Sequence, residues 1–554
     1  MRHGLNRRGL LRSAALVGLG WRRADAADAR QIVFVPQAMP ASLDPIATPS
    51  FATRTAAMAV FETLYGTDAR LNAMPQMVDR FRMEDDGRTW MFQLRADLWF
   101  HDGARVTARD CVASLRRWMR RDRVGHALGA RLDVIEAPDD TTIRIRLGRP
   151  LRQLPLMLAK SQLSPPVIMP ARFADQSVDT PVDGVIGSGP FRLANLDWHA
   201  GDPLDLLRFA RYQPRTEASS FTGGGRVALL DRVLWRTPDD PPRALRDGAA
   251  DWVEWLPPGL ATDSFGDAPV TVGRIDDVGY YAMLRLNALR GPTANQRIRQ
   301  AILAGVDQTA VMASVFGDDT TRFHAPIGLY PPGSEFVTTV GLDRISATKS
   351  PRTIKTMLRD AGYKGEPIVI VNPVDDPIHT RLTAAAIDEL RQIGLTVETR
   401  DLDRQAFAAW RRAGGGARPG ADAVPAAKDR APENRASENR PPENRAAEDW
   451  SALCDSVPAA DHFDPFAVSA GPPPAGGLWP GWPDDPAATR LRDAWIDAAD
   501  LSTRRTLAAQ LQAQAFTTAA FVPLGQWFPT SAWRKSIVGQ QNGSFPVFWD
   551  IARA

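Results

Sequence analysis

The sequence has few of the residues that hold small secreted folds together, since only 2 of its 554 residues are Cys. Cys111 and Cys454 lie far apart along the chain, which excludes a dense disulfide framework. The sequence also lacks a large excess of charge of either sign, because 67 basic and 64 acidic residues leave a formal net charge of +3. That balance gives no electrostatic footprint of nucleic-acid binding. With 44% hydrophobic residues over several domain lengths, the chain predicts a large folded core.

Motifs of local enzyme chemistry are missing as well. The 7 His residues never fall at the close spacing of a local zinc motif. Neither a Gly-x-Ser-x-Gly elbow nor a phosphate-binding loop occurs, and the Gly-rich stretch 184–190 has the wrong glycine order for a dinucleotide fingerprint. We interpret that stretch as a tight turn and Cys111 as a small buried residue. The sequence therefore predicts neither catalysis nor a cofactor.

The N-terminus has the order of an export signal. Basic residues within 2–12 precede a short run of small and apolar residues, 13–20, which is too short to span a bilayer. The pair Arg7-Arg8, followed by Gly and two Leu, resembles the twin-arginine signal. We expect residues 1–29 to be a signal peptide, with a soluble periplasmic protein after it. No Cys lies near the cleavage site, so we expect no lipid anchor.

Strand and helix signals alternate along the rest of the chain. Residues 55–65 have helical spacing, and 89–95 alternate as a half-buried strand. Thr107 and Asp110 have the spacing of a capping box before a helix. Further on, a strand at 368–371, a helix at 377–393 and a strand at 395–398 predict a β-α-β unit. This order indicates α/β or α+β architecture.

Between residues 413 and 449 the composition changes abruptly. Three successive pentapeptides within 431–445 end in Glu-Asn-Arg and have no apolar position to bury. We interpret the segment as a solvated, disordered surface insertion, and a segment that binds a partner is the alternative.

Tryptophan is abundant, with 16 residues, and several lie outside periodic elements. Large aromatic side chains supply binding area at low entropic cost, so some of these could line a ligand cleft while most belong to the core. The tryptophans outside periodic elements are Trp410, Trp450, Trp479, Trp482 and Trp527.

Several separated blocks of the chain resemble sequence blocks of one known family. They also occur in the order that is expected for that family. The blocks are 43–45 (Leu-Asp-Pro), 61–65 (Phe-Glu-Thr-Leu-Tyr), 86–95, 100–110, 186–191 (Ile-Gly-Ser-Gly-Pro-Phe), 286–307 and 521–525 (Phe-Val-Pro-Leu-Gly). They resemble the family 5 extracellular solute-binding proteins of ABC importers, which are the dipeptide- and oligopeptide-binding proteins and their relatives. The resemblance spans nearly the whole mature chain.

The resemblance implies an α/β, two-lobed periplasmic-binding-protein fold of the Venus-flytrap type, class II or cluster C-like, with an extra subdomain on lobe one. Lobe one is then expected over 30–270 and 480–554, with the subdomain at about 60–180. Lobe two is expected over 271–479 and would contain the insertion. Such a protein closes by a hinge over its ligand and delivers it to the permease of an ABC transporter.

The resemblance also implies a monomer without nucleic-acid partners. A disulfide between Cys111 and Cys454 would tie the subdomain to lobe two and oppose closure, so we expect two free thiols.

Peptide-binding members hold the α-amino group of the ligand with an acidic residue in an Asp-x-x-Asp-Pro segment. Asp461, Asp464 and Pro465 form this segment here, so the resemblance implies Asp461 as the anchor. The alternative is that Asp461 is a helix-cap or turn carboxylate. Trp410, Trp450 and His462 are further candidates for ligand contact.

Other functions remain open at this point. The same fold could bind a non-peptide ligand, such as a nickel chelate, haem, an opine or an oligosaccharide, since His462 suits a metal complex and Trp suits a sugar or porphyrin face. A secreted hydrolase is a further hypothesis, because catalytic groups can meet only in the fold. A sensor or chaperone that acts without a permease is another.

Overall fold

The computed structural model describes most of the chain. The described residues are 30–182, 184–257, 259–260, 262–345, 349–412, 450–466 and 481–554. The predicted signal peptide, the predicted insertion and Trp479 lie outside them. None of the helices in these ranges has the length and apolar character needed to cross a membrane.

The first lobe is built on a mixed seven-stranded sheet, with strands numbered in chain order. In spatial order its strands are β10 (Phe191–Leu193), β11 (Leu204–Arg208), β12 (Arg232–Trp235), β1 (Gln31–Val35), β13 (Trp252–Val253), β21 (Ser531–Arg534) and β14 (Val270–Gly273). Strand β1 runs parallel to both of its neighbours, and its Phe34 packs against Trp235 and Trp252 in the core. The sheet therefore joins early, middle and late parts of the chain into one lobe.

Helix α1 (Phe51–Val60) packs against this sheet and begins earlier than the sequence predicts. The Ser50 side chain accepts a hydrogen bond from the Thr53 backbone N–H and caps the helix. The helix ends at Val60, and the next residues form the short strands β2 (Glu62–Thr63) and β3 (Tyr65–Thr67). The prediction of a helix over 55–65 is therefore wrong in its second half.

The subdomain contains a four-stranded antiparallel sheet. Its strands are β5 (Val78–Glu84), β6 (Thr89–Leu94), β8 (Thr142–Leu147) and β7 (Leu132–Glu136). The capping box is confirmed, since the Thr107 backbone N–H donates to Asp110 Oδ2 at 2.9 Å at the start of α2 (Ala108–Met119). The helices α3 (Arg123–Gly129), α4 (Leu154–Leu158) and α5 (Ala171–Ala174) follow.

Three further strand pairs complete lobe one and the subdomain. They are β2 with β9 (Val167–Ile168), β3 with β4 (Ala73–Pro75), and β22 (Ile537–Val538) with β23 (Ala552–Arg553). Helix α6 (Pro241–Asp247) connects β12 to β13.

The second lobe is built on a six-stranded sheet. In spatial order its strands are β16 (Phe323–His324), β20 (Phe521–Trp527), β15 (Tyr280–Leu286), β19 (Ala452–Pro458), β17 (Ile368–Pro373) and β18 (Val397–Leu402). Helix α10 (Pro377–Gln392) links the parallel neighbours β17 and β18, which confirms the predicted β-α-β unit. The other helices of this part of the chain are α7 (Gln296–Gly305), α8 (Gln308–Phe316), α9 (Pro351–Asp360), α11 (Arg404–Arg412), α12 (Pro486–Asp497) and α13 (Leu501–Thr518).

Lobe two extends further along the chain than the sequence predicts. Strand β20 pairs with β15 and β16, so residues up to Trp527 belong to the second sheet. The return to lobe one comes at β21 and not at residue 480. A change in composition marks a linker there but does not specify which sheet the following strand joins.

Two short segments cross between the lobes. The first is 274–279, between β14 and β15, and the second is 528–530, between β20 and β21. Short crossings of this kind provide the few residues about which lobes rotate. Cys111 in α2 and Cys454 in β19 are buried free thiols, which confirms the expectation.

Candidate functional site

A cleft of about 890 Å³ lies between the two sheets. All three parts of the molecule contribute side chains to it, so a bound molecule would contact lobe one, the subdomain and lobe two together. Its walls include 35–38, Val253 and 255–257 from lobe one, 120–124 from the subdomain, and 375–379, 455–457 and Asp461 from lobe two.

Asp461 presents a carboxylate to this cleft. It lies in a single 3-10 turn, Ala459–His462, that follows β19 directly. Among the described residues, none forms an ion pair or a hydrogen bond with its side chain. Burial raises the pKa of Asp461 to about 6, although the nearby cations Lys160 and Arg54 oppose that shift. Within the described ranges, the carboxylate therefore lacks the direct cationic partner that a partly buried charge needs.

The cation with the largest electrostatic effect on Asp461 is already engaged. Lys160 Nζ lies 3.0 Å from Asp122 Oδ2 in an ion pair of which both side chains are 9% exposed. The same ammonium group donates to the carbonyl oxygens of Leu163 and Ser164. Lys160 therefore influences Asp461 through space while its own hydrogen bonds go elsewhere.

The second Asp of the predicted motif, Asp464, is the carboxylate that stabilises the turn. Asp464 Oδ1 accepts a hydrogen bond from the Phe466 backbone N–H at 2.8 Å, immediately after the 3-10 turn. Asp461 makes no such contact within the described part of the chain. The motif therefore separates a carboxylate that orders the turn from one that faces the cleft.

A buried charge network forms the lobe-two wall. His379 lies between two carboxylates, with Nδ1 3.0 Å from Asp376 Oδ2 and Nε2 3.6 Å from Asp455 Oδ1. Arg285 Nε donates to the other oxygen of Asp455 at 2.8 Å. Burial favours a neutral imidazole, but the two carboxylates outweigh it and raise the pKa of His379 to about 9.

The pKa of Asp455 responds in the opposite direction. Burial alone raises it, whereas the Arg285 guanidinium and the His379 imidazolium hold it well below its usual range. His379 and Asp455 are therefore both charged at neutral pH.

Sequence reasoning missed this network. The only part of the network that is local in sequence is the pair Asp376 and His379, because Asp376 is the N-cap of α10 and lies three residues before His379.

Five aromatic rings meet at the end of the cleft nearest the crossing segments. In lobe two, Trp527 stacks between Tyr280 and Phe316, with ring centroids 5.0 Å and 5.4 Å away. In lobe one, Trp255 and Phe51 stand nearly perpendicular to Tyr280, at 4.8 Å and 5.8 Å. Sequence reasoning singled out only Trp527, and it placed this residue outside periodic elements although it is the last residue of β20.

The other sequence-predicted contact residues lie behind the wall. Trp410 and Trp450 pack edge to face, with centroids 5.4 Å apart, and both are buried in a small apolar cluster. The same helix lines the cleft with other residues, among them Phe407, which stacks on Trp410. The expectation that Trp410 and Trp450 face the ligand is thus corrected, because their rings satisfy each other's packing.

His462 is also removed from the cleft. Its ring stacks on Tyr281 at 4.0 Å, its Nδ1 lies 3.1 Å from the Leu329 carbonyl oxygen, and it has no exposed surface. Burial lowers the pKa of His462 to about 3, so the imidazole is neutral. His462 is the last residue of the 3-10 turn, and its buried ring helps to fix that turn. It does not line the cleft. No group of three or more His, Cys, Asp or Glu residues suited to a metal ion occurs in the described ranges.

The chain belongs to family 5 of the bacterial extracellular solute-binding proteins. The family profile, described as "Bacterial extracellular solute-binding proteins, family 5 Middle", matches residues 72–418. The chain is thus a member of a family of substrate-binding transport components, and its two lobes and cleft have the corresponding form.

Individual relatives cover nearly the whole chain. The "Probable peptide ABC transporter periplasmic-binding protein y4tO" of Sinorhizobium fredii is 29% identical over 522 residues, which is 92% of this chain and 91% of the relative. DppA from Helicobacter pylori in complex with the peptide STSA has a TM-score of 0.73 at 17% identity, covering 94% of this chain and 98% of that one. AgaA from A. tumefaciens R10 in complex with agropinic acid has a TM-score of 0.73 at 20% identity, covering 95% and 99%. At these identities the two structures show the fold alone.

Proposed function

We propose that this protein captures peptides in its interlobe cleft and presents them to the permease of an ABC transporter. The observation that carries the proposal is Asp461, a cleft-facing carboxylate without a direct partner among the described residues. A peptide's free α-amino group is a compact cation with three donors, which is the complement of such a carboxylate. The ligand's ammonium group would complete the ion pair that the protein leaves open.

The wall around Asp461 supports a zwitterionic ligand. Lys160 and Asp122 are paired with each other, so Lys160 does not compete with the ligand for Asp461 and Asp122 does not compete with Asp461 for the α-amino group. Arg120, Arg322 and Arg404 bring positive charge to other parts of the same cleft. The printed names of the Sinorhizobium relative and the DppA complex, which refer to peptides, agree with this ligand class.

The remaining parts of the proposal follow from the family and the N-terminal sequence. We place the mature protein in the periplasm as a monomer, exported by a twin-arginine signal over residues 1–29. Closure of the lobes over the ligand is the step that the permease recognises, and no chemical step is required.

The test compares a free α-amino group with a blocked one. Isothermal titration calorimetry measures the binding of a peptide pool and its N-acetylated counterpart to the wild type, to Asp461→Asn and to Asp375→Asn. The control changes another cleft carboxylate, whose Oδ2 accepts the Arg404 backbone N–H. Removal of one partner from a desolvated charge pair predicts a loss of about 30-fold or more for acetylated peptides and for Asp461→Asn. Equal affinity for free and acetylated peptides would refute the proposal.

A further inference from the structure

We propose that Trp255 and Phe51 form a recognition surface for an aromatic or large apolar side chain near the amino end of the ligand. The inference rests on the proposed function and specifies the peptides that the cleft prefers. In this proposal the aromatic end of the cleft selects the ligand's side chain, and Asp461 binds the ligand's α-amino group.

The backing of this surface is a rigid stack from lobe two. Phe316, Trp527 and Tyr280 lie nearly parallel, with interplanar angles of 23° and 26° between successive rings. Trp527 is fixed further because its Nε1–H donates to Ser456 Oγ at 2.9 Å. All three rings are almost fully buried, and Phe316 and Trp527 line the cleft whereas Tyr280 does not. A stack held in this way does not rearrange easily to suit different ligands.

The rings that meet the ligand space come from lobe one. Trp255 follows β13, and Phe51 is the first residue of α1. Both are only partly buried, and both line the cleft. Their planes are at 88° and 80° to Tyr280, so each ring stands upright on the lobe-two stack. A planar side chain can pack against such upright rings face to face or edge to face.

Trp255 also has an unused hydrogen-bond donor. Its Nε1–H donates to no acceptor among the described residues, whereas Trp252 Nε1–H donates to Ser531 Oγ and Trp527 Nε1–H to Ser456 Oγ. Indole N–H groups in protein interiors usually find a partner. The Trp255 ring is therefore placed to pack against an apolar side chain while its N–H reaches a carbonyl oxygen of the ligand backbone.

The recognition surface of Trp255 and Phe51 lines the same cleft as Asp461 and is linked to it through Arg54 and Tyr280. The Arg54 guanidinium carbon is 5.6 Å from the Phe51 ring centroid, and Arg54 also acts electrostatically on Asp461. In addition, Tyr280 is the register partner of Pro458, three residues before Asp461. An extended peptide advances about 3.3 Å per residue. A peptide anchored at Asp461 would therefore place its first or second side chain at Trp255 and Phe51.

Occupation of this surface would couple selectivity to closure. Trp255 belongs to lobe one, while Tyr280 and Trp527 belong to lobe two. A ligand side chain that packs against Trp255 in the cleft and also touches Trp527 contacts both lobes, so it stabilises the closed form more than the open form. Small or acidic side chains leave these rings in water and contribute less.

The test measures tripeptide selectivity by calorimetry. Ala-Phe-Ala and Phe-Ala-Ala are compared with Ala-Ala-Ala and Ala-Glu-Ala on the wild type, Trp255→Ala, Trp255→Leu and Trp198→Ala. Trp198 is a partly buried tryptophan of lobe one that is absent from the cleft wall, so it is the matched control. The Leu variant keeps most of the side-chain volume and carries the test if the Ala variant does not fold.

We expect the wild type and Trp198→Ala to prefer a Phe-containing tripeptide by about tenfold, the value for burying one aromatic side chain. Trp255→Ala and Trp255→Leu should lose most of that preference, while their affinity for Ala-Ala-Ala falls only by the smaller amount that one missing N–H donor explains. If tripeptides bind without preference, or the preference survives both Trp255 variants, the inference is overturned and the proposed function stands. If no peptide binds at all, the proposed function fails and this inference fails with it.

Discussion

Acidification should weaken peptide binding because the pKa of Asp461 is raised. Burial moves that pKa from 3.8 to about 6, and the surrounding cations Lys160, Arg54 and Arg123 offset only part of the shift. The α-amino group of the ligand stays protonated below pH 7, so its own charge does not change between pH 7 and pH 5. Only the anchor loses its charge over this interval.

The size of the effect follows from the ionised fraction. With a pKa of about 6, the Asp461 carboxylate is about nine-tenths ionised at pH 7 and about one-tenth ionised at pH 5. The peptide Kd should therefore rise about tenfold between those values. A carboxylate at its ordinary pKa of 3.8 would remain ionised throughout and would change Kd by less than about a tenth.

The assay is calorimetric titration with one peptide at half-unit pH steps from 7 to 5. Asp461→Asn should bind weakly at every pH and show no slope. The cleft also contains His126, so a His126→Gln control separates its contribution from that of Asp461. A flat wild-type profile, or a slope that persists in Asp461→Asn, would refute the assignment of Asp461 as the anchor.

Three stability predictions follow from other contacts. Asp455→Asn should lower the free energy of unfolding by about 3–5 kcal/mol, because Arg285 and His379 would keep buried charges without their shared carboxylate; urea denaturation measures this. The stability that protonated His379 contributes should be complete below pH 6.5 and be lost as the pH rises through about 9, as shown by thermal unfolding across that range. Gly187→Ala should prevent or severely impair folding, since a Cβ there would lie 2.0 Å from the Val60 carbonyl oxygen, and expression with circular dichroism tests this.

Each of these variants has a matched control. Asp376→Asn removes the more exposed carboxylate beside His379 and should cost much less than Asp455→Asn. Gly129→Ala places its Cβ 3.7 Å from Met119, an ordinary contact at a helix end, and should fold normally. Equal losses for the two Asn variants, an alkaline unfolding profile unchanged by His379→Gln, or a normally folded Gly187→Ala would each contradict the corresponding argument.

Local signals in the sequence predicted several elements well. The capping box at Thr107 and Asp110 depends on neighbouring residues, as does the β-α-β unit that contains α10. The motif around Asp461 placed a carboxylate in the cleft wall because it lies in one short turn after β19. In each case the informative residues are close together along the chain.

Features that depend on distant parts of the chain escaped sequence reasoning. His379 meets Asp455 only because β19 lies beside β17 in the sheet. The aromatic rings of the cleft meet across the two lobes, where the ring centroids of Trp255 and Trp527 lie 5.4 Å apart. Trp410 was a cleft candidate because the sequence shows no periodic element around it, yet it lies in α11 and packs on Trp450 in the structure. Composition and periodicity do not encode which distant surfaces meet.

The most direct test of the central claim is native mass spectrometry of the protein purified from a periplasmic extract without added ligand, beside its Asp461→Ala variant. The account predicts that the wild type carries a set of peptide masses, which gentle collisional activation releases, and that these masses are absent from the variant. A wild type that retains a metal complex, a porphyrin or a sugar, or that is empty and ignores added peptide pools, would contradict the account.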